Sequence, residues 1–387
     1  MSEIALDPPA RFRSLAAAII AMGVTSALYA LSLPLFAARL DAMGHGDAVI
    51  GINSAAQAIS LILVAPLAPR LLRRWGPAVF MLWMLAASFV LILLVPLWEN
   101  AWYWLVMRLL LGAATGLLWI AGETWINEAA DDTARGRTLA LYGIAGAGGT
   151  MAGFGILYAV GHGGWLPFLI MEALILVCAV AVAAAIRVAP RFTGMQTQST
   201  MALFRLAPAP LLVNLLVAIT FGSLATFLPV YGPTIGVPLR DAFLLLTLLS
   251  GGGLLQYPIG WLADHMDRRL LLVIVLVVMA GLFAVMPSAL ADVFWRWPYV
   301  IVLGGGMMGL YTLSLILLGQ YFRGADLSAA TTLFQVMWNT GMFSGPFAIG
   351  FAMDSIGDRA FPWTLAACYG GFLAFYAMRL ALGRRRA

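Results

Sequence analysis

The chain has 387 residues, of which 63% are hydrophobic and only 10% charged, against about 45–50% and 25% in soluble globular proteins. That balance excludes a soluble domain, a disordered chain and a nucleic-acid-binding protein, and with only Cys178 and Cys368, each alone in an apolar stretch, it excludes a disulfide scaffold. All 22 basic residues are arginine, so the net charge of +5 reads as membrane topology rather than as a taste for acidic partners.

A hydrocarbon core about 30 Å thick takes roughly 20 apolar residues per helical crossing. Apolar runs bounded by glycine, proline and charge predict spans over 14–38, 48–68, 77–97, 102–126, 137–160 and 165–186 in the first half. The second half gives 209–231, 240–262, 269–289, 295–319, 327–352 and 361–381. The first run is too long for a cleaved leader and feeds directly into further spans. The fold class is therefore an all-α polytopic membrane protein with twelve transmembrane helices.

With the N-terminus in the cytoplasm, 17 of the 22 arginines fall in cytoplasmic segments. Only Arg39, Arg240, Arg296 and Arg359 fall on the opposite side, and Arg108 lies inside a span. Cytoplasmic loops collect basic residues, so both termini are expected inside, as in a bacterial inner-membrane protein. The longest interior connection is polar and falls almost midway. It divides the chain into an N-terminal six-helix bundle (1–186), a cytoplasmic linker (187–208) and a C-terminal six-helix bundle (209–387). Two six-span repeats joined in this way are the plan of many secondary transporters.

The two halves share a motif after their second spans. The second half has Gly260-Trp-Leu-Ala-Asp264-His-Met-Asp267-Arg268-Arg269 and the first has Ala65-Pro-Leu-Ala-Pro69-Arg70-Leu-Leu-Arg73-Arg74-Trp-Gly76. The former closely resembles the G-x-L-a-D-r-x-x-R-R signature of the major facilitator superfamily. The latter keeps the basic residues but has Pro69 where the family usually has Asp. Arg108-x3-Gly112-x3-Gly116 and Gly341-x3-Gly345-Pro346-x3-Gly350-x3-Asp354 resemble two further family patterns. Within the superfamily, Glu123-Thr-Trp-Ile-Asn and Arg135-Gly-Arg137-x-Leu-Ala-x-Tyr142 most resemble the YcaD-like branch. The resemblance covers the whole chain. It implies alternating access, with a conformational gate formed by Gly260, Asp264, Arg268 and Arg269 and by Arg70, Arg73 and Arg74. A carboxylate such as Asp264 near a helix N-terminus is worth about 0.3–1 kcal/mol, enough to bias two states without locking either.

Charges inside spans are few because each is costly at the bilayer centre. They are Arg108 and Glu123 in the fourth span and Glu172 in the sixth. At 100° per residue, Arg108, Gly112, Thr115, Trp119, Glu123 and Ile126 fall along one stripe, with Arg108 and Glu123 about 22 Å apart and so unable to pair. The resemblance implies that the first and fourth spans of each half line the substrate path. Arg108 and Glu172 lie at similar depth, and a structural ion pair between them competes with substrate binding by Arg108. Glu123 has Arg135 or Arg137 as its nearest candidate partners. Asn53 with Gln57, and Gln335 with Asn339, recur at i, i+4, and Tyr29 lies on the first span.

The expected substrate-binding set is thus Tyr29, Asn53, Gln57, Arg108, Thr115, Trp119, Gln335 and Asn339. The proton-coupling set is Glu123 and Glu172, because arginine does not titrate, lysine is absent, and the three histidines fall in loops. Glycines crowd the fifth span at Gly143, Gly146, Gly148, Gly149, Gly153 and Gly155, a pattern that permits close helix approach. His45, His162 and His265 stand in three separate loops, so no metal site is expected. Without G-x-S-x-G, a P-loop or H-E-x-x-H, the chain is read as no enzyme and as needing no cofactor. The expectation is a monomeric, proton-coupled carrier of a small solute in the lipid bilayer. Efflux of drugs or metabolites and a non-transporting ligand sensor are the alternatives.

Overall fold

The computed structural model describes residues 8–129, 135–190, 204, 206–322 and 324–384. The regular elements among them are all helical. The first half contains α1 (Pro8–Ala42), α2 (Asp47–Val64), α3 (Ala68–Trp75), α4 (Pro77–Leu94), α5 (Ala101–Ala129), α6 (Arg135–Val160) and α7 (Leu166–Ala184). The second contains α8 (Pro208–Thr234), α9 (Leu239–Gly252), α10 (Gln256–His265), α11 (Arg268–Ala291), α12 (Arg296–Tyr321), α13 (Gly324–Ile356) and α14 (Ala360–Arg384). Most of the expected 187–208 linker, residues 191–203 and 205, lies outside the described residues.

Ten helical stretches among the described residues are long and apolar enough to cross a membrane, and they coincide with the first ten expected spans. The eleventh and twelfth expected spans coincide with α13 and α14, helices of 33 and 25 residues. These two fall outside the set of ten. Polar and small residues dilute α13: Gln335, Asn339, Thr340, Gly341 and Gly345.

The motif segments expected as loops are largely helical. After a 3-10 turn at Ala65–Leu67, α3 carries Arg70, Arg73 and Arg74, and α10 carries Gly260 and Asp264. Proline is tolerated in a first helical turn, so Pro69 does not prevent α3. Gly76 then ends α3 with a φ of 73°, a conformation that glycine adopts without strain. His265 likewise ends α10 rather than standing in a loop.

The chain clusters into two compact units, Met1–Arg39 with Ala56–Met195, and Leu40–Ala55 with Gln196–Ala387. In the first, Arg39 pins the end of α1. Its Nε donates to the His162 carbonyl (2.7 Å), a second nitrogen donates to the Gly164 carbonyl, a third pairs with Glu99 (3.3 Å), and the guanidinium lies over Phe168. In the second, Arg296 pairs with Asp241 (3.6 Å) at the start of α12. Beside it Asp292 accepts the Phe294 and Trp295 N–H groups, which hold its carboxyl below the usual carboxylate range. The second unit also holds the start of α2, whose Asp47 N–H donates to Asp354 on α13 (2.8 Å). A methyl at Gly51 would there overlap the Pro346 carbonyl.

Glycine sets the helix spacing in the first unit as well. Gly149 and Gly153 on α6 face the carbonyls of Gly23 and Ala27 on α1, and Gly146 faces Met22. On α5, Gly112 and Gly116 face Gln57, Ser60 and Leu61. Gly143 and Gly148, on the same glycine-dense helix, have open space around them. Gly149→Ala is therefore expected to destabilise the protein by about 1–3 kcal/mol through overpacking. Gly143→Ala should be neutral or stabilising by up to about 1 kcal/mol through helix propensity. Thermal unfolding of the two variants in detergent checks the difference; equal melting temperatures would contradict the packing described.

Candidate functional site

The most buried charge in the first unit is Arg108, with 0% of its surface exposed. Its position follows from the glycine one turn later. With no side chain at Gly112, α5 lies against the Gln57 backbone, and Arg108 reaches α1. There one nitrogen donates to the Ser32 carbonyl (3.3 Å), and the guanidinium stands 4.7 Å from the Phe36 ring centroid. The Ser32 hydroxyl donates to Gln57 Oε1 (3.3 Å), and Arg108 and Tyr29 interact electrostatically. Four of the expected residues or their direct neighbours, Tyr29, Gln57, Arg108 and Ser32, thus form one polar cluster on α1, α2 and α5.

Further along α5 the expected stripe holds. Thr115 is buried and donates to the Leu111 carbonyl (2.8 Å). Trp119 Nε1 donates to Glu123 Oε1 (2.8 Å), a direct sign that the two share a face. Sequence spacing offered Arg135 or Arg137 as the partner of Glu123. Among the described residues Glu123 has no ion pair, and the Arg135 side chain lies outside them. A group the sequence reading did not include stands beside it: the Tyr142 hydroxyl is buried without a hydrogen-bond partner, near Gly122, and interacts electrostatically with Glu123. Its inclusion in the motif that starts at Arg135 was the available signal.

The ion pair expected between Arg108 and Glu172 does not form. Glu172 is 6% exposed in the seam of α7 with Phe168, Met171 and Ile175, and neither carboxylate oxygen has a hydrogen-bond partner. Similar depth does not ensure a shared face. Arg108 is turned onto α1, where it meets an aromatic ring and a carbonyl, while α7 packs on the uncharged α4 and sets Phe168 beside Phe36.

In the second unit the expected pair Gln335 and Asn339 lies on α13, joined by Asn339 Nδ2 donating to the Gln335 carbonyl (2.9 Å). Trp338, between them in sequence, packs on Phe221 and Tyr311, and Tyr311 packs on Phe334. Asn214 on α8 donates to the Phe334 carbonyl (2.6 Å). Ser223 and Thr226, about two and a half and three turns further along α8, are fully buried with hydroxyls that have no hydrogen-bond partner. Asn53, near the unit boundary on α2, is buried as well.

The motif residues are surface groups. Asp264 at the end of α10 pairs with Arg268 at the start of α11 (3.6 Å), and Arg268 also donates to the Ala263 carbonyl (3.0 Å). Asp267, not listed among the expected gate residues, caps α11 by accepting the Leu270 N–H (2.8 Å). Arg269 and the α3 residues Arg70, Arg73 and Arg74 are exposed. No group of three or more potential metal ligands occurs among the described residues.

Because Arg108 and Glu172 have separate surroundings, their substitutions should act independently. Arg108→Gln is expected to cost about 1.5–3 kcal/mol through the lost charged hydrogen bond. Glu172→Leu should gain about 1–3 kcal/mol by removing an unsatisfied buried polar group. The double variant should then sum the two effects within about 0.5 kcal/mol. A larger coupling in thermal or denaturant unfolding would mean that the charges do pair.

The chain as a whole is similar to known membrane proteins. The family model described as Major Facilitator Superfamily matches residues 14–346. The chain is 25% identical over 353 residues to the MFS-type transporter YfkF of Bacillus subtilis, covering 87% of this chain and 88% of that one. It is 27% identical over 268 residues to the MFS-type transporter YcaD of Escherichia coli O6:K15:H31, covering 67% of each. Among solved structures, the nucleoside transporter NupG superposes with a TM-score of 0.74 at 13% identity, over 95% of this chain and 99% of that one. A bacterial homologue of the human lysosomal transporter Spinster, inward-facing and occupied, gives 0.75 at 11%, over 97% and 96%. The chain belongs to the major facilitator superfamily of membrane transport proteins.

Proposed function

We propose that the protein carries a small solute across the bacterial inner membrane by alternating access, coupled to protons. In this reading it is a monomer of twelve spans in two six-helix bundles, with both termini in the cytoplasm. Family membership supports membrane transport, and the arginine bias supports the orientation. The observation that carries the reading is the face of α5 on which Arg108, Thr115, Trp119 and Glu123 follow one another. Arg108 with Tyr29, Asn53 and Gln57 supplies a cation and neutral polar groups for the solute, while Gln335 and Asn339 add amides from α13. Asp264, Arg268 and Arg269, with the basic residues of α3, act at the gate. The i, i+4 pair between Asp264 and Arg268 is the sort of modest surface interaction that can be exchanged between two states.

Coupling needs a group that exchanges protons and whose protonation favours one conformation. Glu123 has that chemistry beside Trp119 and Tyr142, and Glu172 is the second candidate. The test uses proteoliposomes and a solute found by an uptake screen. Glu123→Gln should abolish uptake driven by a pH gradient and preserve solute exchange at equal pH. Accumulation driven by the pH gradient in that variant would remove Glu123 from the coupling mechanism.

A further inference from the structure

At one end of the first unit, the end of α3, the start of α4 and the turn Ile186–Val188 after α7 enclose a cleft of about 360 Å³. Leu72, Arg73, Trp75, Val79, Ile186 and Pro190 line it, with the backbone of Gly76–Ala78 between them. Its charge is of one sign. The two segments that form it, 64–80 and 180–190, contain Arg70, Arg73, Arg74 and Arg187 and no acidic residue. All four arginines are exposed, and none has a carboxylate partner among the described residues.

The cleft also opens onto an apolar track. Trp75 stands 6.5 Å from Trp83, centroid to centroid, and Trp83 is 59% exposed. From Trp83 the exposed positions continue along one face of α4 as Ala86, Val90 and Leu93. Arg74 lies 5.9 Å from the Trp75 ring centroid, which places cation and indole together at the rim. Paired tryptophans and arginines at a helix end are what a polar–apolar membrane boundary selects. Gly76 provides no side-chain cap for α4, so the electropositive helix end adds to the same field.

We propose that this cleft binds the phosphate headgroup of an anionic phospholipid, whose acyl chain lies along Trp75, Trp83 and the exposed face of α4. Arginine supplies charge-assisted hydrogen bonds to phosphate oxygens, and basic pockets at helix ends recognise anionic headgroups. A free phosphate-bearing solute satisfies the cations but leaves the tryptophan track unused, so the lipid is the occupant that uses both halves of the cleft. The proposal does not depend on the transport reading.

Native mass spectrometry of the purified full chain, titrated with phosphatidylglycerol or phosphatidylcholine, tests it. One phosphatidylglycerol should bind with clear preference over phosphatidylcholine. Arg73→Gln should weaken that binding about fivefold, the effect of one cation near an anionic headgroup. Val79→Trp, which fills the cleft and leaves every arginine in place, should weaken it too, whereas Arg359→Gln should leave it unchanged. Should Val79→Trp fail to fold, quenching by phosphatidylglycerol with brominated chains gives the second reading: it should fall in the Trp75→Phe, Trp83→Phe variant. Equal binding of the two lipids, no effect in Arg73→Gln, or an equal loss in Arg359→Gln would overturn the proposal. Displacement of the lipid by millimolar inorganic phosphate would assign the cleft to a soluble anion instead.

Discussion

The first unit depends on accommodating one guanidinium in an apolar interior. An arginine at the centre of a membrane helix costs at least about 2.5–3.5 kcal/mol on insertion scales, and its five N–H donors need acceptors. The Ser32 carbonyl takes one hydrogen bond from Arg108, the face of Phe36 takes the charge, and Tyr29 adds its dipole nearby. A cation over a desolvated aromatic face is worth about 2 kcal/mol or more, so ring and carbonyl together approach the insertion cost. On the proposed reading, this guanidinium is the group that meets an anionic part of the solute.

That arrangement requires α1, α2 and α5 to lie closer than ordinary side chains permit. Gly112 provides the approach, since its missing Cβ leaves room for the Gln57 backbone and the Ser60 hydroxyl. Gln57 in turn accepts the Ser32 hydroxyl, and Ser32 supplies the carbonyl that holds Arg108. The arginine and the glycine four residues later therefore act as one device. The same economy recurs where Gly149 and Gly153 seat α6 on α1 and where Gly341 and Gly345 seat α13 on α8.

Much of this was legible in the amino-acid sequence, because membrane spans and small-residue spacings are one-dimensional signals. The apolar runs placed the helices, and the 100° rotation per residue placed Trp119 and Glu123 on one stripe. Partner choice across helices was not legible. Depth matched Arg108 to Glu172, yet rotation about the helix axes decides contact, and it turned Arg108 toward Phe36 and left Glu172 buried without a hydrogen-bond partner. Nor did the sequence separate loop from helix in the basic motifs, since leucine and arginine favour helix and only Gly76 marks the end of α3. The role of Asp354, whose carboxylate holds the α2 N-terminus, was hidden because its partner is 307 positions away.

The division of polar chemistry between the halves carries the last step. Every ionisable Arg or Glu well inside an expected span, Arg108, Glu123 and Glu172, belongs to the first half. The second half offers Asn214, Ser223, Thr226, Gln335 and Asn339, which are neutral at any relevant pH. A carrier needs its charge chemistry in only one half, provided the other recognises the solute by hydrogen bonds and aromatic contact. The buried hydroxyls of Ser223 and Thr226, without partners in this state, are acceptors and donors in waiting, and leaving such groups unsatisfied costs about 1–3 kcal/mol each. On the proposed reading, such groups take their partner from a solute atom or from a neighbouring helix in another conformation. On the proposed reading, the first half sets the energetic direction of the cycle through a proton, and the second half supplies the recognition that makes the cycle specific.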